Sequence, residues 1–490
     1  MTAKAVVVGG GLAGVAAALE LASKGIQVTV FEAKPYLGGM ARSLEKEGLL
    51  VDNGQHVFMK CCTAYLDFLR RIGSLDSIYL QDRLEVPVVS PGGRISWIRR
   101  DNLQPPFHLL RALLLYSYLD WQGKLGVARA MFALSRMDPS SKFLDEHSFG
   151  SWLSMHGFGE SAVDGFFDLL VRSTLNLPPE EASLQMVAKV VNTGFLTRAD
   201  GADLGWSTLP LSELHDRQAR RVLVAMGVEI ASPAKVSYIE AGAGGAPLVH
   251  TADGRSMKAD AVIVAVDHRA AQRLLPRGTI YGQERLNSLG TSAVVSVHVL
   301  YDRKVMDHPL MASLDTSVQW VFDRSKNLRV AGSKVKPGAQ YLTIPISAAH
   351  PLVSKRTSAI VAEVLPALEA LLPRASKAVV LHVTTTREAA ATFRASPHSA
   401  ELRPGPITRF EGLFVAGAWC DTGWPATMES AVRSGYSAAA AAAEFLGGHT
   451  NTELDVPSRS SKEPSLAVDR SEGDCQGGQA KHETMFKESA

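Results

Sequence analysis

A glycine-rich turn near each end of this 490-residue chain restricts its fold more than any other feature. The first lies within Lys4–Ala33, KAVVVGGGLAGVAAALELASKGIQVTVFEA, and the second within Leu413–Ala438, LFVAGAWCDTGWPATMESAVRSGYSA. Ala5–Val8 is a short apolar run suited to a buried parallel strand. Gly9, Gly11 and Gly14 then give G-x-G-x-x-G leading into a helix. Glycine is needed because the chain turns sharply, its backbone must approach a pyrophosphate, and the helix must sit close against the sheet. The free N–H groups of the first turn, at Leu12 and Ala13, and the positive end of the helix dipole are the expected phosphate contacts. Gly25 closes the helix, and Gln27–Phe31 reads as a second strand. It runs into Glu32 and Ala33, and Glu32 stands eighteen residues after Gly14. A carboxylate there accepts the hydroxyls of an adenosine ribose and disfavours a 2′-phosphate, so NADP is not expected. The unit predicts dinucleotide binding without separating FAD from NAD.

The second turn separates them. Leu413–Ala416 reads as a strand, Gly417 as the turn, and Ala426–Ala442 as a helix whose first N–H groups lie near Thr427 and Met428. Such a helix start suits the pyrimidine end of a flavin ring, where negative charge accumulates on reduction. One cofactor reached from both ends of the chain is therefore expected. Between the turns lie Gly38, Gly39 and Arg42 in LGGMARS, and VDNGQH at Val51–His56.

With these motifs the chain resembles the flavin amine oxidase and phytoene desaturase superfamily. The resemblance implies an α/β fold: an FAD-binding Rossmann-like domain of the glutathione-reductase/amine-oxidase type with an inserted α+β substrate domain. It places Gly38, Gly39 and Arg42 along the pyrophosphate, the backbone near Val236 beside the adenine, and Gly54, Gln55 and His56 at the isoalloxazine edge. The expected segments are 1–87, 212–285 and 404–447 for the FAD domain and 88–211 and 286–403 for the substrate domain. A disordered tail is expected over 448–490, where the sequence turns polar and charged. Within 212–285, Ala219–Gly227 reads as a helix and Pro247–Lys258 as a hairpin around Asp253-Gly254.

One departure stands out. Superfamily members place an acid after the glycine corresponding to Gly417, and this chain has Ala418. Loss of one hydrogen bond costs on the order of 1 kcal/mol, and Asp421 is the candidate substitute. Cys420 lies inside the flavin turn, not upstream where a covalent tether is found, so noncovalent FAD is expected.

Composition narrows the class. The formal net charge is +2 with scattered lysines and arginines, which gives no case for nucleic acid. Cys61, Cys62, Cys420 and Cys475 form neither a metal-ligand spacing nor a disulfide framework, as expected for a reduced cytoplasmic setting. The first strand begins at once, so no signal peptide is expected, and no apolar run is long enough to predict a spanning helix.

Four stretches are similar to one branch, the hydroxysqualene dehydroxylases of bacterial hopanoid and squalene synthesis: VDNGQHVF (51–58), STLNLPPEEAS (173–183), QWVFDR (319–324) and WCDTGWPATMESAVRSG (419–435). The implied reaction is reductive removal of a hydroxyl from an isoprenoid lipid. It needs hydride from a reduced flavin, an acid for the departing oxygen, and a dry apolar tunnel. Gln55 and His56 are the catalytic candidates, with His56 as the acid because its ordinary pKa lies near working pH. A purely structural role for Asp52 and His56 is the competing reading, and His298 and His382 are weaker candidates. A bilayer-dwelling substrate implies a peripheral site on the inner face of the cell membrane. PPFHLLRALLLYSYLDW at Pro105–Trp121 reads either as an apolar patch at the tunnel mouth or as a core helix. The electron donor is unidentified: NAD(P)H or a separate redox protein. A carotenoid desaturase, an amine oxidase and a non-enzymatic flavoprotein are the rival functions.

Overall fold

A computed structural model describes residues 2–159, 162–242, 245–327, 329–330 and 337–451. Met1–Gly448 is one compact unit, and of the second, His449–Ala490, only 449–451 are described.

The N-terminal motif folds as its pattern requires. Strand β1 (Lys4–Val8) is followed by helix α1 (Leu12–Ser23) and strand β2 (Gln27–Phe31). Both strands are buried after their first residue. They lie inside a five-stranded sheet in the order Glu229–Ala231, β2, β1, Ala261–Val264, Leu413–Val415, parallel at every pairing. The near-continuous Ala/Val/Ile runs reflect burial on both faces, which a parallel sheet demands. α1 approaches this sheet closely because position 14 is glycine: a Cβ there would stand 1.8 Å from the Gly9 carbonyl oxygen.

The second large sheet is seven-stranded, in the order Val380–Thr392, Ser292–Tyr301, Gln340–Ile346, Trp320–Asp323, Leu310–Ser313, Glu85–Ser90, Arg94–Arg99. Its pairings are antiparallel except that between Leu310–Ser313 and Glu85–Ser90. The period of two divides its side chains. Val295, Val321 and Ile346 join a core with Ile360, Val364 and Leu368 of the helix Thr357–Leu371. Their neighbours Val294, Trp320, Phe322 and Pro345 face the opposite way, into a large cavity.

One expected boundary differs, and another lies within one residue of the division after Gly448. The limit at 87/88 falls inside the strand Glu85–Ser90, because that strand pairs with Leu310–Ser313 far along the chain. The tail expected from 448 begins inside the helix Met428–Asn451, and the rest of it lies outside the described residues, as does Cys475. The expected helix near 219–227 runs Gln218–Ala225, and the hairpin pairs Gly245–Thr251 with Ser256–Lys258 around Asp253-Gly254.

Gly14→Ala forces α1 away from β1. We expect a loss of about 1–3 kcal/mol, the usual range for overpacking, read as a lower denaturation midpoint. An unchanged midpoint would show that the close approach of α1 is not needed.

Candidate functional site

The two glycine turns open into the same cavity, whose volume is about 1180 Å³. From the N-terminal half it is lined by Gly9, Gly11, Leu12, Ala13 and Glu32, and from the segment that follows by Gly38, Gly39 and Arg42. Gly11 is the N-cap of α1 and no side chain caps that end. The first-turn N–H groups are thus left for an anion. A Cβ at Gly11 would meet nothing closer than 3.9 Å, so the space above the turn is open. Glu32 is held in place by backbone donors: Gly10 N–H gives to Oε2 at 2.7 Å and Lys34 N–H to Oε1 at 2.8 Å. A fixed carboxylate at the end of β2 and an uncapped helix above an open floor suit the adenosine and pyrophosphate of a dinucleotide.

The opposite wall carries Gly54, Gln55 and His56, and beyond them Gly417, Ala418, Trp424, Thr427 and Met428. The loop bearing Gly54 to His56 is anchored at its base. Asp52 accepts from Ser43 Oγ at 2.7 Å and Leu211 N–H at 3.0 Å, and pairs with the buried Arg324 at 3.1 Å. Asn53 donates to Met40 O at 2.8 Å, and its own carbonyl accepts from Thr386 Oγ1 at 2.9 Å. Arg42 pairs with Glu388 at 2.9 Å and donates to Gly39 O at 3.1 Å, so its charge is already matched. At the C-terminal turn, Ser434 Oγ accepts from Gly417 N–H at 2.8 Å, and Thr427 Oγ1 accepts from Ser430 N–H at 3.1 Å. The start of the last helix therefore faces the cavity.

Four expected cofactor contacts are not among the lining residues. Gly14 serves the packing of α1 on β1 instead. Ala33 is exposed at the end of β2. Val236 is buried in the core at the start of Val236–Gly242. Asp421 is exposed, and its carboxylate accepts from Gly423 N–H at 3.1 Å. Ala418 lines the cavity and Asp421 does not.

His56 lines the cavity, but the reason for expecting an acid there fails. Burial, and then the positive charges of Arg324 and Arg42, push its pKa down to about 4. At neutral pH the imidazole is therefore in its neutral form. His298 is wholly buried, with Nδ1 2.7 Å from Tyr341 Oη and Nε2 3.1 Å from Thr386 Oγ1. It ties two strands together and does not line the cavity. His382 stands 3.4 Å from Glu47, also away from the cavity. Cys420 is buried off the cavity, and burial pushes its thiol up. Among the described residues no group of His, Cys, Asp and Glu is arranged to hold a metal ion.

Several lining residues escape the motif analysis. Cys61, Cys62, Lys189 and Glu429 line the cavity, and Lys189 lies beside Trp424. Lys189 carries a readable signal, since it is the one charged residue of the helix Leu184–Val191, LQMVAKVV. STLNLPPEEAS supplies Ser173, Thr174 and Asn176 to the wall, and QWVFDR supplies Trp320 and Phe322. Much of the remaining lining is aliphatic and aromatic, including Leu84, Val86, Leu113, Met131, Phe166 and Leu170.

Comparison with known proteins agrees with this geometry. Residues 12–443 match the family described as flavin containing amine oxidoreductase. The chain belongs to that family. It is accordingly a flavin-dependent oxidoreductase with an α/β FAD-binding fold. It is similar to a hydroxysqualene dehydroxylase of Rhodopseudomonas palustris, 28% identical, with 88% of this chain and 96% of the relative covered. It is also similar to a zeta-carotene desaturase of Synechocystis, 23% identical over 89% of this chain and 96% of the relative. Among solved structures, an oxidoreductase from Methanosarcina mazei superposes with a TM-score of 0.67 at 20% identity, covering 89% of this chain and 99% of that one.

His215, fully buried, contacts Tyr65 Oη at 2.8 Å and Ala41 O at 3.1 Å, and burial lowers its pKa to about 4. The unfolded chain binds that proton near pH 6.5 and the folded one does not. Stability is therefore lost as pH falls from about 6.5 to about 4, with His215 contributing on the order of 3 kcal/mol. Urea midpoints at pH 7.5 and 4.5 check this, and equal midpoints would contradict it.

Proposed function

We propose that the protein holds FAD noncovalently between its two glycine turns and uses it to remove the hydroxyl of hydroxysqualene reductively, giving squalene. The observation that carries this reading is the cavity. At about 1180 Å³ it exceeds the range of about 300–1,000 Å³ usual for small-molecule sites. Its apolar part extends from the C-terminal turn to the surface helices Leu110–Leu115 and Trp121–Ser135. Support also comes from relatives named hydroxysqualene dehydroxylase, 25–28% identical over 88% of the chain.

The residues present fit FAD. Glu32 and the first turn of α1 would hold its adenosine and pyrophosphate, and the start of the last helix would face its ring. When bound and reduced, FAD supplies hydride. The chain contributes the rest. Aliphatic and aromatic walls exclude water and hold the isoprenoid extended, while the N-terminus of the last helix favours negative charge beside it. Asp52 and Arg324 fix the loop that carries Gln55 and His56.

The cavity meets the surface at an apolar patch. Phe107 is 60% exposed, Leu115 66%, Trp121 69% and Phe132 58%. Phe107 and Phe132 also line the cavity, as do Leu109 and Leu113. The segment expected as either patch or core thus contributes both surface and cavity residues. We assign the patch to the surface of a bilayer, from which a lipid enters directly. No helix among the described residues is long and apolar enough to cross a membrane. The reductant in this reading is NAD(P)H or a separate redox protein.

Anaerobic single turnover tests the reaction. We expect the reduced protein, given hydroxysqualene in detergent, to form squalene in step with flavin reoxidation. No product from a flavin-loaded preparation would overturn the reading and favour a polyene desaturase. Acid precipitation should release the flavin, and flavin retained on the polypeptide would contradict a noncovalent site. Leu115 and Trp121 do not line the cavity, so Leu115→Asp and Trp121→Asp probe docking alone. Burying such a side chain is worth about 1.5–3 kcal/mol. Binding to anionic phospholipid vesicles should fall about tenfold or more for each, and unaltered binding would contradict the assignment.

A further inference from the structure

An acid for the departing oxygen is still required, and His56 is neutral. Several charged groups around the cavity are already committed by their contacts. Glu429 has a fully buried side chain, accepts from Ala64 N–H at 3.1 Å and Tyr65 N–H at 2.7 Å, and pairs with Arg433 at 2.6 Å. Its lone pairs are committed to holding the last helix against the helix Thr63–Arg71. Glu388 is committed to Arg42 and Asn53. Asp267 caps the helix His268–Leu274, and Lys34 is exposed beside the adenosine end. Arg433 is paired, and a guanidinium does not release a proton in the working range.

Lys189 is different. It projects from a helix whose other residues are buried, and it lines the cavity. Its ammonium lies 5.4 Å from the centre of the Trp424 ring, and among the described residues it makes no hydrogen bond or ion pair with a carboxylate. The charged or titratable groups facing it are Arg433 of the last helix and Cys61 ahead of Thr63–Arg71. Burial first and then Arg433 lower its pKa, while Cys61 opposes them. An ammonium beside an indole face in a largely apolar chamber, without a carboxylate partner, keeps donor capacity for a group that enters.

We propose that Lys189 donates the proton with which the substrate hydroxyl leaves as water, an assignment that rests on the dehydroxylase reading. The carbon–oxygen bond breaks, and the oxygen departs carrying the Lys189 proton. The carbon must gain a hydride, which reduced flavin, when bound, would supply with its own two-electron oxidation. The neutral amine regains its proton from solvent. Lys189 adjoins Trp424 of the C-terminal turn, the side of the cavity assigned to the flavin ring.

The test uses FAD-loaded protein, anaerobic single turnover of hydroxysqualene, and the variants Lys189→Met and Lys189→Arg. General acid catalysis is worth roughly 10²–10⁴-fold. We expect Lys189→Met to lose a factor in that range and the alkaline fall in rate shown by the parent, with flavin content and absorbance unchanged. Lys189→Arg should not restore the rate. A second readout needs no turnover: after reductive ¹³C-methylation, the lysine resonance missing from Lys189→Met should titrate below the ordinary value of about 10.4. Parental rate and pH profile in Lys189→Met, rescue by arginine, or an ordinary titration would each overturn the assignment while leaving the dehydroxylase reading intact. Failure of the parent itself to form squalene would overturn both.

Discussion

The site depends on a close contact between the two ends of the chain. Gly435 lies in the last helix, and a Cβ there would stand 2.2 Å from the Ala13 carbonyl oxygen and 3.0 Å from Ala16 Cβ. Only a side chain of one hydrogen lets this helix lie against α1 at that distance. The consequence is electrostatic. Two helix N-termini, at Leu12 and Met428, are brought to one cavity, so their positive ends address one elongated anionic cofactor. Ser434 reinforces the arrangement by fixing the Gly417 turn, and Glu429 by binding the start of Thr63–Arg71.

The remaining walls are set by buried polar connections from the seven-stranded sheet to the segment around Asp52 and Asn53 and to the strand that ends at Ser207. Thr386 bridges His298 to the Asn53 carbonyl, and Arg324 bridges Asp52 to the Ser207 carbonyl. Breaking a buried ion pair by removing one partner is costly because it leaves an uncompensated charge. These contacts therefore register the seven-stranded sheet against the loop that carries Gln55 and His56. The same environment that makes the loop rigid also keeps its histidine neutral. The wall supporting the cofactor and the group able to supply a proton are consequently on different elements.

Local signals were legible in the sequence wherever chemistry is local. The strand, turn, helix and terminal acid of Lys4–Glu32 follow from glycine placement and apolar runs. The turn at Gly417 and the hairpin at Asp253-Gly254 follow likewise. What was not legible depends on pairing over distance. Alternation in Glu85–Ser90 does not say that its partner is Leu310–Ser313, so a boundary was expected inside a strand. Asp421 stands near the missing acid in sequence, yet its own loop takes its carboxylate. Lys189 and Glu429 are far apart in the chain and share a site only because the last helix returns to α1. The pKa of His56 likewise depends on Arg324 and Arg42, which the folded chain brings around it.

The account stands on one cofactor being held from both ends of the chain. Determining the structure of the FAD-loaded protein tests this most directly. The prediction is pyrophosphate against the Leu12 and Ala13 N–H groups, ribose on Glu32, and the ring beside Thr427 and Met428. A flavin bound with its ring away from the last helix would contradict the account.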